Sequence, residues 1–216
     1  MSPLARDQLL GLLLFAFIPL VLFLFVVRPE PLGASLAAGV ALMVGHRWLA
    51  RPYMHRVRRR KCLWSNGDPD ASGEGAPVTL EHGGGTLEAR CRRRHLDDLG
   101  RVFTVLWRWR WPLRLGIFVP LLLLLGSLTA AALGAKPPWS LATVTAVFQL
   151  AVGLTVHLPA YGYLALRRDA GPLEPLRVPF PVHNFFLLGV SNLLWVFRLV
   201  GAIWIYRGAT ALFGGT

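Results

Sequence analysis

The chain has 216 residues, 54% of them hydrophobic, and a formal net charge of +12 at pH 7. That length suits one soluble domain or a small helical bundle in lipid, and the clustering of apolar residues into five stretches selects the bundle. Basic residues sit at the ends of those stretches, 15 of the 23 between Arg47 and Arg114, as cytoplasmic loops of membrane proteins collect them, so the charge calls for no nucleic-acid partner.

The first stretch, residues 9–27, runs without a charge and is long enough for a hydrocarbon core that needs ~20 apolar residues. It exceeds the ~7 to 15 residues of a signal-peptide core and no A-x-A site follows, so it is expected to remain as a helix. Two prolines in RPEP (residues 28–31) predict a tight turn into a second helix over 32–48. There Gly33, Ala37, Ala41 and Gly45 form a small-residue stripe, which predicts close packing against the first helix or a second copy.

Residues 49–111 are polar and basic. VTLEH (78–82) and TLEARC (86–91) flank Gly83, Gly84 and Gly85, the pattern of a β-hairpin with a glycine turn. Residues 95–111 place Leu96, Leu99, Val102, Phe103, Leu106 and Trp107 on one face, with Trp and Arg alternating at the end, as expected of an interfacial helix. A third span is predicted over 113–134, a fourth over 139–166 and a fifth, lying in or along the membrane, over 185–206. With the amino terminus inside, the cytoplasmic side carries Arg6, the large loop and the arginines at 167, 168 and 177. The opposite side has Arg28, Lys136 and Arg207, an asymmetry that orients the chain.

Within the loop, C-L-W-S-N-G from Cys62 and C-R-R-R-H from Cys91 bracket the hairpin. Over residues 61–95 this resembles a zinc ribbon, in which two knuckles hold a tetrahedral metal. Ser65 stands where the second Cys would be, and His95 comes one residue later than the usual spacing. The resemblance implies Cys62, Cys91 and His95 as metal ligands, with His82 a conceivable fourth, and zinc held weakly or not at all. Placed in the cytoplasm, the two thiols are not expected to form a structural disulfide.

The fourth span carries Thr145, Gln149, Gly153, His157 and Tyr161 at four-residue spacing, and the fifth carries Ser191, Asn192 and Arg198. Polar groups in hydrocarbon face a neighbour or a cavity, so Gln149, His157, Tyr161, Asn192 and Arg198 are the candidate ligand-binding residues. His46, His157 and His183, each toward the cytoplasmic half of its helix, raise a haem b or quinone site, but three of six histidines with no second one on the fourth span are weak evidence and haem is not expected; none of the acidic residues lies in a predicted span, which argues against a proton-coupled transporter.

The expected fold is an all-α integral membrane protein of about five transmembrane helices, with a small cytoplasmic β-hairpin loop of zinc-ribbon type and an interfacial helix. Residues 1–48 form a transmembrane hairpin, 49–111 the loop and interfacial helix, and 112–216 the remaining spans. The expected role is a non-enzymatic subunit or assembly and interaction factor of an inner-membrane complex, meeting anionic headgroups, a protein partner or its own copies. The alternative is a membrane enzyme or redox carrier using the polar site between the fourth and fifth spans.

Overall fold

The computed structural model describes residues 2–27, 32–71, 73, 75–136, 138–166 and 175–214; the expected turn at 28–31 and the arginines at 167 and 168 lie outside them. In chain order the elements are α1 (Pro3–Val27), α2 (Leu32–Val57), β1 (Gly75–His82), β2 (Gly85–Arg92), α3 (Leu96–Arg108), α4 (Arg110–Ala132), α5 (Leu141–Gly162), β3 (Leu176–Arg177), α6 (His183–Leu188) and α7 (Val190–Phe213). By internal contacts they fall into two units, Met1–Gly100 with Ala170–Leu193, and Arg101–Asp169 with Leu194–Thr216.

The first unit is built on the sheet β2-β1-β3 and on α1, α2 and α6. β1 and β2 pair antiparallel from Gly75↔Arg92 to His82↔Gly85. Gly83 and Gly84 both take positive φ, 60° and 79°, the type I′ turn whose twist matches that of the strands. Side chains alternate as a half-buried ladder requires, with Val78, Leu80, Ala89 and Cys91 turned inward. β3, two residues long and parallel to β1, was not anticipated; it joins through Leu80↔Leu176 and Glu81↔Arg177.

α2 runs on to Val57 rather than ending at residue 48, with Pro52 inside it. This extension buries Tyr53 and Val57 and carries a polar chain into the core. The Lys61 ammonium donates to the Tyr53 hydroxyl at 2.6 Å and to the Phe186 carbonyl at 3.3 Å, and the Tyr53 hydroxyl donates to the Asp7 carbonyl at 2.6 Å. Burial pulls the Lys61 pKa down to about 8 and raises that of Tyr53. One lysine thus ties α1, α2 and α6 together, which composition alone does not reveal.

In the described part of the α2 stripe, Ala41 is exposed and a side chain built on Gly45 would meet nothing within 4 Å. The expected close approach to α1 is therefore absent at those two positions; the side chains of residues 17–40 lie outside the description.

The second unit holds α4, α5 and most of α7. Among the described residues three helices, α4, α5 and α7, are long and apolar enough to cross a membrane. Close packing occurs here instead: a Cβ on Gly153 would lie 3.0 Å from the Gly201 carbonyl, and one on Gly201 would lie 2.7 Å from His157 Cβ. Two segments differ from the sequence reading. The amphipathic helix ends at Arg108, and α4 starts at Arg110 rather than near residue 113, with the break at Trp109. The predicted fifth helix is two helices, because Gly189 adopts φ 81° between α6 and α7.

Candidate metal centre

The knuckle after α2 is a tight turn. The Cys62 amide donates to the Gly67 carbonyl at 2.7 Å, the Asn66 amide to the Cys62 carbonyl at 2.9 Å, and Asn66 takes the left-handed φ of 61° that Asn tolerates. The Leu63 amide then donates to the Arg90 carbonyl at 3.0 Å, which ties the knuckle to β2 one residue before Cys91. Cys91 faces inward by strand alternation, and the single turn Arg93–His95 brings His95 back toward both sulfurs.

The result is a compact donor set. Cys62 Sγ and Cys91 Sγ are 3.0 Å apart, Cys62 Sγ and His95 Nδ1 are 3.6 Å apart, and the three ligand atoms all lie within 4.8 Å of one another. Both sulfurs are buried. The Cys91 thiol beside it, and then Ser65 and His95, hold Cys62 as a thiolate well below the usual thiol range, while Cys62 and burial push Cys91 up.

These residues can hold a metal ion. Two ligands of a tetrahedral zinc stand ~3.6 Å apart for sulfur and nitrogen and ~3.8 Å for two sulfurs, from bond lengths of about 2.3 and 2.0 Å. The Cys62–His95 separation matches, and the two sulfurs stand ~0.8 Å closer than a bound zinc would hold them. Ser65 Oγ, at the position of the missing Cys, is buried. His82 is not the fourth ligand: it stands at the turn end of the hairpin, paired with Gly85, whereas Cys91 pairs with Ala76 near the opposite end, and only Cys62, Cys91 and His95 bring their ligand atoms together among the described residues.

The knuckle has a second use. Its Leu63 and Trp64 carbonyls accept from the Val190 and Ser191 amides at 2.9 and 3.0 Å. Those amides open α7 and have no partner within the helix.

The candidate ligand-binding residues divide. Arg198, His157 and Tyr161 come together: Arg198 Nε and Nη2 donate to the Ala160 carbonyl at 3.1 and 2.9 Å, and its guanidinium lies 4.5 Å from the Tyr161 ring centre and 4.9 Å from that of Trp195. His157 Nδ1 donates to the Arg198 carbonyl at 3.0 Å. Asn192 instead donates to the Leu188 carbonyl one turn back, and Gln149 lies by Arg207 on a separate shallow cleft.

No known protein family, curated protein or solved structure matches the chain.

Proposed function

We propose that the chain is a multi-pass protein of the inner (cytoplasmic) membrane, amino terminus and ribbon unit inside, that serves as a non-enzymatic interaction or assembly subunit. Its ribbon is closed by one zinc on Cys62, Cys91 and His95. The observation that carries this reading is the knuckle itself: the residues after Cys62 offer their carbonyls to the first amides of α7, so the metal-bearing turn is a fastening of the fold. Buried sulfurs suit that role, because a substrate has no route to them. With two thiolates and one imidazole, and a hydroxyl where a third thiolate would stand, zinc is held more weakly than in a four-ligand site.

The alternative of an enzyme or redox carrier around Arg198 has less support. Arg198 spends its donors on the last turn of α5, whose carbonyls have no helical partner, and His157 spends Nδ1 on the Arg198 backbone. This is the pattern of a helix end being satisfied.

Digitonin extracts of cells carrying wild type or Cys91→Ser provide the test. A subunit fastened through its ribbon migrates as an assembly larger than one chain in the wild type and as a released chain in the variant. Monomeric migration of both would contradict the interaction role.

A further inference from the structure

Away from the metal centre, α2 carries Arg47, Arg51 and His55 at four-residue spacing, one face of a helix. That face meets His82 at the end of β1 and His183 at the start of α6 around a cleft of about 300 Å³. Among the described residues no carboxylate lines it. The neighbouring acids are engaged elsewhere, Glu81 with Arg177 at 3.3 Å and Glu88 with Arg59 at 3.2 Å. Arg47 and Arg51 have no hydrogen-bond or ion-pair partner among the described residues. Like charges brought together without a counter-ion repel at a cost that an incoming anion removes.

The histidines point the same way. His82 gives Nδ1–H to the Val178 carbonyl, which leaves Nε2 as its remaining polar atom. His46 and His183 have ring centres 6.4 Å apart. His183 is held down at about 4, first by burial and then by the groups around it, Arg51 and Arg47 among them, and these two arginines line the same cleft. The two guanidiniums form a donor set for a tetrahedral anion, since each can give parallel N–H bonds to one phosphate.

We propose that this cleft binds a phosphate monoester group. The inference depends on the membrane reading only for the source of that phosphate, a lipid headgroup or a soluble compound. Its size admits the phosphate with part of the ester it terminates.

The full-length protein in detergent is titrated with inorganic phosphate and followed by phosphorus NMR, as wild type, Arg47→Gln, Arg51→Gln and Arg93→Gln. Arg47 and Arg51 are exposed, so glutamine leaves the fold intact, and Arg93 is an exposed arginine that does not line the cleft. The expected result is binding by wild type, weakened about tenfold or more by either cleft substitution, as loss of one charge-assisted bond gives, and unchanged in Arg93→Gln. Failure of the wild type to bind, or an equal loss in Arg93→Gln, would overturn the proposal.

Nanodiscs of phosphatidylcholine doped with phosphatidate then separate the sources. Enrichment of phosphatidate that the cleft variants abolish assigns a lipid headgroup; phosphate binding without enrichment assigns a soluble ester. Phosphate binding that persists in a chain shown not to enter membranes would leave the cleft standing and remove the membrane reading.

Discussion

Arg198 gives two hydrogen bonds to a single acceptor, the carbonyl oxygen of Ala160. That carbonyl belongs to the last turn of α5, where the helix has no donor left to offer, and a cation there also complements the helix dipole. The guanidinium therefore needs no acidic partner. In the proposed membrane, Arg198 stands eight residues from the start of α7, within snorkelling reach of the cytoplasmic face.

Arg198→Leu is expected to insert normally but to lower stability in detergent by about 1–3 kcal/mol, the cost of a buried carbonyl left without a donor. Arg198→Lys should recover part of it. Melting of the detergent-solubilised variants checks this, and unaltered stability in Arg198→Leu would show that the bond contributes nothing.

Small residues matter in α5 and α7, and the described end of the α2 stripe does not use them. Gly201→Val puts atoms where His157 Cβ and the Gly153 carbonyl already lie, so a loss of ~1–3 kcal/mol or more is expected from overpacking. Ala41→Leu, on an exposed position, should leave the melting of the single chain within about 0.5 kcal/mol. The reverse ranking would place the working interface on α2.

His183 gives the first unit an acid-sensitive element. Its folded-state value of about 4 lies below the ordinary 6.5, chiefly through burial, so the unfolded chain takes up a proton where the folded chain does not. Stability is then full above pH 6.5 and declines as pH falls toward 4. Melting temperature measured across that range should fall more steeply for wild type than for His183→Gln; parallel curves would remove His183 from the account.

Topology is open to direct labelling. Ala71 is exposed and both native cysteines are buried, so Ala71→Cys introduces a single reactive thiol. An impermeant maleimide should leave it unmodified in intact cells and modify it after permeabilisation, as the charge asymmetry requires. Modification from outside would invert the proposed orientation.

Much of the centre was legible because it depends on short-range patterns. A glycine turn between alternating segments fixes the register of β1 and β2, and register decides that Cys91 faces inward. Cys62 and His95 follow from the residues on either side of the hairpin. The polar stripe misled for a geometric reason: Gln149 and Tyr161 are twelve residues apart, about 18 Å of helix, so one site cannot include both. Asn192 bonds within its own helix, a choice spacing does not reveal. The break at Gly189 was hidden because an isolated glycine in an apolar run announces a positive φ only once its surroundings are known. β3 was hidden because two residues carry no alternation. Lys61 was hidden because a lysine among arginines reads as surface, and its burial depends on Tyr53 and Phe186, the latter 125 residues away.

The metal content of the purified chain tests the central claim most directly. Wild type, Cys62→Ser, Cys91→Ser and His95→Gln are purified in detergent without chelator and assayed by elemental mass spectrometry before and after mild chelation. The account predicts about one zinc per chain in the wild type, removed by mild chelation, and strongly reduced zinc in each variant, as a three-ligand site requires. A wild-type chain free of zinc, or zinc that stays in the Cys62→Ser and Cys91→Ser variants, would contradict it.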